Sequence, residues 1–159
     1  MQYKLPFERV KKKILIRQKA EGLIGIEPSE RSVEKILNYG IVNIDKPSGP
    51  TSHNVSAYVQ NILGIKKAGH SGTLDPKVTG CLPIALGSAT KVNTALLSAG
   101  KEYVCVMHLH RDIGLTELKK VLKKFVGRIK QRVPHKAAVK RQVREKEVYY
   151  IKFLEKKKR

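Results

Sequence analysis

The chain has 159 residues, enough for one domain, and 41% of them are hydrophobic, enough to build a core. Thirty-three Lys and Arg against 13 Asp and Glu leave a formal charge of +20, more than solubility asks for, so a polyanionic partner is expected. Two cysteines without a second pair at metal spacing argue against a zinc site or disulfide framework, and no apolar run could cross a bilayer, so a soluble protein of a reducing cytosol is expected.

Residues 1–38 alternate basic and apolar clusters and carry no catalytic pattern; they read as an extension whose own fold is not legible. Gly40 to Asp45 is predicted to be a short strand, stopped by Lys46-Pro-Ser-Gly-Pro50, whose two prolines and glycine enforce a turn. Thr51 or Ser52 then caps a helix in which Val55, Tyr58, Val59, Ile62 and Leu63 form one buried face, and Gly64 is its stop. Lys66 to Gly80 reads as a polar, turn-rich loop, and Thr90 to Leu97 as a second short helix. Tyr103 to His110 alternates as a strand does. Thr116 is expected to cap a helix with an apolar stripe of Leu118, Val121, Leu122, Phe125 and Val126, ended by Gly127. After Val133-Pro134, the span from Val143 to Leu154 returns to strand character. Helices and strands mix without a βαβ repeat, so the fold class is α+β: a mixed, mainly antiparallel sheet flanked by helices. Basic charge concentrates at the C-terminal end, where residues 111–159 hold 18 Lys and Arg against 5 Asp and Glu.

Gly69-His-Ser-Gly-Thr-Leu-Asp75-Pro76 carries the chemistry. It sets one carboxylate after two glycines, which would let a ligand approach the backbone, and before a proline that fixes the exit. Leu74 can anchor the loop in a core while Asp75 points out. A bare Asp-Pro is ordinarily a turn starter, so the wider pattern has to decide.

Lys46-Pro-Ser-Gly-Pro-Thr-Ser-His53, Gly69 to Pro76 with Gly80-Cys-Leu-Pro83, and Lys101-Glu-Tyr103 together resemble the successive signature motifs of the TruB/dyskerin family of pseudouridine synthases. Met107-His-Leu-His-Arg111 and Ala137-Ala-Val-Lys-Arg141 resemble its archaeal, guide-RNA-dependent branch. The resemblance implies isomerisation of a uridine in rRNA or tRNA without cofactor or metal. Asp75 would be the catalytic carboxylate, acting as nucleophile or base beside the detached uracil. Tyr103 matches the tyrosine that stacks on a flipped base, although a strand tyrosine is ordinarily a half-buried core residue. His70 stands where the family has a histidine beside the target nucleotide, or it caps its own loop. Lys46 could pair with phosphate or support the Asp75 loop from behind. Lys136, Lys140, Arg141 and Arg144 lie in a stretch resembling a substrate-closing loop, where Val133 and His135 depart from the family's pattern.

The resemblance also implies a box H/ACA guide RNA and small accessory proteins as partners, no membrane, and a cytoplasmic location, nucleolar in a eukaryote. Residues 39–159 would be the N-terminal portion of the catalytic domain. The family's later Gly-Thr-Tyr-Ile-Arg-like motif and PUA domain are absent, and the fragment alone is expected to be inactive. Tyr150-Ile-Lys152 only echoes that motif. The alternative is a non-catalytic basic RNA-binding or ribonucleoprotein scaffold module.

Overall fold

A computed structural model describes residues 4–11, 13–17, 22, 25–132 and 143–157. The chain divides into two compact units, Ile16–Lys101 and Met1–Leu15 with Glu102–Arg159. All strand pairings among the described residues are antiparallel, as expected for a mixed α+β fold.

In the unit Ile16–Lys101, helix α2 (Val33–Tyr39) begins at Ser32, whose hydroxyl accepts from the Lys35 N–H at 3.3 Å. The extension thus holds a helix that Ser32 and Gly40 bracket in the sequence. Strand β1 (Ile41–Lys46) follows, one residue later than predicted at each end. It pairs with β3 (Gly80–Leu86), which pairs on its other side with β2 (Ala68–His70), so the sheet order is β1-β3-β2. Strand β2 lies where a loop is expected, and β3 begins at that loop's end. The central strand is masked in the sequence by Pro83, a residue foreign to sheet interiors. Pro83 pairs with Asn43 of β1 but sits one residue outside the ladder to β2, which ends at Ile84, so no second ladder needs its missing N–H.

Helix α3 (Ser52–Ile62) is capped by Thr51, which accepts from the Asn54 N–H at 3.0 Å, and Gly64 follows it with φ +61°. Its buried face differs from the expected one. Ser52, Val55 and Ser56 are buried and Val59 and Leu63 pack on the core, whereas Tyr58 and Ile62 are exposed. The two serines lie on the inward stripe, so an apolar count misplaces the face. Val55 joins Leu82, Ile84 and Leu86 of β3 in the core, ringed by Leu37, Val42, Ile44, Ile65, Ala68 and Leu74. Each fully buried aliphatic side chain contributes about 1.5–3 kcal/mol. A 3-10 turn (Gly87–Val92) and α4 (Asn93–Leu97) complete the unit. Gly87, with φ +54°, lies so close to Asn38 that a Cβ would fall 2.4 Å from its Oδ1. That oxygen accepts from Ser88 N and Oγ, tying α2 to the end of β3.

In the other unit, α1 (Pro6–Arg9) is a single turn, and α5 (Leu115–Lys123) starts after Gly114 instead of at a Thr116 cap. Leu118 is its buried residue and Leu122 is half-buried, while Val121, Phe125 and Val126 of the expected stripe are exposed. Strands β4 (Gly127–Arg132) and β5 (Val143–Val148) form a two-stranded ladder with Arg128 opposite Glu147 and Lys130 opposite Glu145. Strand β4 is unexpected, because its polar sequence lacks an apolar face, and β5 ends six residues short of Leu154. The predicted strand Tyr103–His110 forms no ladder with any described strand. Its alternation suits a sheet, but a strand exists only through a partner's hydrogen bonds.

Lys156 pairs with Asp112 and donates to the Ile113 carbonyl at 2.6 Å, fastening the chain end to the turn before α5. The hydrogen bond and charge of Lys156, helped by the Ile113 N–H, hold the Asp112 carboxyl below its ordinary range. A lowered folded pKa adds stability above the unfolded value, about 3.9, which is lost as pH falls through the folded value. Melting Asp112→Asn beside the parent should therefore show a small gap at pH 7 that closes as the pH falls and the carboxylate protonates; a gap independent of pH would refute the pairing.

Candidate active site

Asp75 sits in the loop between β2 and β3, and its side chain is exposed. The backbone on both sides of it is fixed. On the N-terminal side, Ser52 Oγ accepts from the Leu74 N–H at 2.9 Å and donates to the Leu74 carbonyl at 3.1 Å, and Leu74 itself packs on the core. On the C-terminal side, the Pro76 carbonyl accepts from the Gly49 N–H at 2.9 Å and from Lys46 Nζ at 3.1 Å. The Asp75 carbonyl accepts from the Val78 N–H at 2.9 Å, closing a turn. A carboxylate is thereby presented to solvent from a clamped backbone, with no ion-pair partner within 4 Å among the described residues.

Lys46 is the largest of the fully buried side chains, at 0% exposure. Its Nζ donates to the carbonyls of Pro47 (2.8 Å), Pro76 (3.1 Å) and Val78 (2.9 Å). Three acceptors use all three ammonium donors. Of the two roles open from sequence, the geometry is that of a support behind the loop; nothing of the side chain is left to meet a phosphate. The three bonds favour the supporting role over contact with substrate.

The two glycines of the motif differ in their surroundings. A Cβ on Gly69 would stand 3.3 Å from Asn93 Nδ2 and 3.7 Å from Thr90, and one on Gly72 would stand 3.6 Å from Lys101 Cε. At Gly69 the Asn93 side chain crowds the space that the motif suggests is open to a ligand, whereas at Gly72 a Cβ would make only ordinary contact. His70 ends β2, opposite Ile84, and its Nδ1 is buried without a hydrogen-bond partner among the described residues, as is Asn93 Oδ1. Tyr103 belongs to the other unit, where it is 64% exposed. Arg144 is half-buried on β5 and has a partner. Lys136, Lys140 and Arg141 lie outside the described residues. Among the described residues, no cluster of three His, Cys, Asp or Glu could hold a metal, no helix is long and apolar enough to cross a membrane, and Cys81 and Cys105 are free thiols. Burial, then a hydrogen bond to and the charge of Glu102, and the charge of Glu8, raise the Tyr150 phenol above its ordinary pKa.

The sequence of this site matches known proteins. Residues 60–115 match the N-terminal domain of TruB family pseudouridylate synthases, and residues 3–56 match the DKCLD domain. The chain is 53% identical over 153 residues to a probable tRNA pseudouridine synthase B of Methanopyrus kandleri, covering 96% of this chain and 45% of that protein. The protein of the same name from Nanoarchaeum equitans is also 53% identical, over 95% of this chain and 44% of its own length. Among solved structures, the chain resembles one of a Cbf5-Nop10-Gar1 complex at 48% identity and a TM-score of 0.85, covering 94% of this chain and 46% of that one. It also resembles one of an H/ACA RNP bound to a substrate RNA containing 2'-deoxyuridine, at 43% identity and a TM-score of 0.84, covering 97% and 46%. The fold matches that of these solved structures over most of this chain. The chain spans less than half the length of these relatives.

Ser52 is the residue at this site that sequence reasoning passes over. In the sequence it lies in the Lys46–His53 motif but has no role there beyond a possible helix cap, and Thr51 holds that position. The available signal is the succession of two hydroxyl residues after a turn, of which one cap position can use only the first.

Proposed function

We propose that the protein isomerises uridine to pseudouridine in rRNA or tRNA, with Asp75 as the carboxylate acting on the detached uracil. The observation that carries the reading is the exposed Asp75 on a backbone fixed at Leu74 and Pro76. Catalysis rewards a reactive group held in one geometry before substrate arrives, whereas a binding module gains nothing from locking an acid where it would repel phosphate. The reaction moves the sugar from a ring nitrogen to a ring carbon; the carbon loses a proton and the nitrogen gains one, so no oxidant, reductant or metal is called for. Tyr103 would stack on the flipped base and His70 would face the RNA.

Partners follow from the relatives. A box H/ACA guide RNA and small accessory proteins fit this chain because its solved neighbours are a Cbf5-Nop10-Gar1 complex and an H/ACA RNP with substrate RNA. The place of action would be cytoplasmic, or nucleolar in a eukaryote. Residues 39–159 would form the first part of the catalytic domain, and the 159-residue chain alone would bind RNA without turning it over. Incubating the full-length protein with a substrate RNA, its guide and the accessory proteins, then quantifying pseudouridine by mass spectrometry, tests this. Product that requires the guide is expected; binding without product under every condition would favour the scaffold reading.

The basic stretch gives a separate test. Neutralising Lys140 and Arg141 should flatten the salt dependence of RNA binding by roughly 0.7–0.9 in log–log slope for each phosphate that loses its cation. An unchanged slope would make that stretch an ordinary solvated surface.

A further inference from the structure

We propose that Ser52 is a positioning residue for Asp75, setting the orientation of the peptide that joins Leu74 to the catalytic position; this rests on the reading of Asp75 given above. Ser52 is 1% exposed, and both hydrogen bonds that its hydroxyl makes among the described residues go to one residue: it accepts from the Leu74 N–H at 2.9 Å and donates to the Leu74 carbonyl at 3.1 Å. The two bonds act on different peptide planes. The N–H belongs to the peptide between Thr73 and Leu74, and the carbonyl to the peptide between Leu74 and Asp75. One hydroxyl therefore fixes the rotation of Leu74 on both sides, and with it the direction in which the Asp75 Cα leaves the loop. Because Ser52 is the first residue of α3 and α3 is seated on the core through Val55, the clamp carries the rigidity of that helix to the loop.

Asp75 is thus held by two separate devices. Lys46 and Gly49 fix the Pro76 carbonyl behind it, and Ser52 fixes the Leu74 carbonyl ahead of it. Leu74 packing alone would keep the loop near the core but would not select one peptide orientation, since apolar contact is not directional. Without the hydroxyl, the loop should stay docked with its carboxylate imprecisely aimed, a fault that falls on the chemical step and not on RNA binding.

Ser56 supplies an internal control. It is also buried on α3, and its hydroxyl donates to the Ser52 carbonyl at 3.1 Å, touching the helix backbone and not the loop. Ser52→Ala and Ser56→Ala both remove one buried hydroxyl from the same helix face, so a merely structural role would give both the same consequences. Two measurements separate them. Amide hydrogen exchange on this chain should show the Leu74 N–H exchanging about tenfold faster in Ser52→Ala and unchanged in Ser56→Ala. Single-turnover kinetics in the full-length protein with its RNA should show the rate of pseudouridine formation falling about 10²-fold in Ser52→Ala with RNA affinity within about threefold, and Ser56→Ala near the parent. Ser52→Cys, which keeps a weaker donor and acceptor, should fall between Ser52→Ala and the parent.

Equal turnover in the two alanine variants would overturn the positioning role, as would unchanged Leu74 exchange in Ser52→Ala. If instead Asp75→Asn kept full turnover, the assignment of Asp75 would fail, while the exchange measurement would still report whether the clamp exists. The two ideas can therefore fail separately.

Discussion

Asp75→Asn in the full-length protein should reduce pseudouridine formation by at least about 10³-fold while leaving RNA affinity within about threefold. The substitution keeps the side chain's size and one of its oxygens but removes the charge that makes it a nucleophile or a base. Nothing in the loop depends on that charge. The loop's hydrogen bonds run through the backbone of Leu74, Asp75 and Pro76, and the Asp75 side chain makes no ion pair within 4 Å among the described residues. The asparagine variant should accordingly keep the parent's melting temperature, which separates a chemical defect from a structural one. RNA affinity should hold because a carboxylate makes no favourable contact with phosphate. Turnover by the variant, with deamidation back to aspartate excluded by mass spectrometry, would remove Asp75 from the reaction.

The Asp75 loop is legible in the sequence as a candidate site, and its mechanics are hidden there. The carboxylate between Leu74 and Pro76 stands out through the resemblance of the motifs around it, since Asp and Pro alone mark an ordinary turn. The role of Lys46 does not, since a lysine after a strand reads equally as a surface charge, and only its burial against three carbonyls distinguishes the two. Gly69 misleads for a related reason. An absent Cβ signals a close approach without saying by what, and at Gly69 the approaching group is Asn93.

The same limit holds for the fold. Strand β1 and helix α3 are readable from apolar period and caps, whereas β3 is hidden by Pro83 and β4 by its charges. Whether proline is tolerated depends on which strand lies alongside, and that partner, β2, is only Ala68-Gly-His70. Three residues carry no period. Tyr103–His110 fails in the opposite direction, having a strand's pattern without a described neighbour to pair with. Pattern reports what a segment can do, and pairing depends on the rest of the molecule.

Lys46→Met should destabilise the unit that contains the Asp75 loop by about 2–5 kcal/mol, because it strips a donor from three buried carbonyls while preserving the side chain's length and bulk. The Pro76 carbonyl would retain the Gly49 N–H, but those of Pro47 and Val78 would be left without a donor among the described residues. Replacing a buried ionic pair by apolar groups can be neutral when both partners go. Here the acceptors stay, being backbone, so no such compensation is open. The corresponding fall in melting temperature is at least about 8 °C for a unit of this size. Lys46→Arg is the more decisive variant. If Lys46 met phosphate, arginine would serve as well or better, since its planar fork suits phosphate. If Lys46 supports the loop, arginine must fail: its donors are spread over a plane, whereas these carbonyls converge on one nitrogen at 2.8–3.1 Å in a site with no exposed surface. Thermal melting of both variants, beside the salt dependence of RNA binding, should show two destabilised proteins with the parent's slope. An arginine variant as stable as the parent would return Lys46 to the RNA.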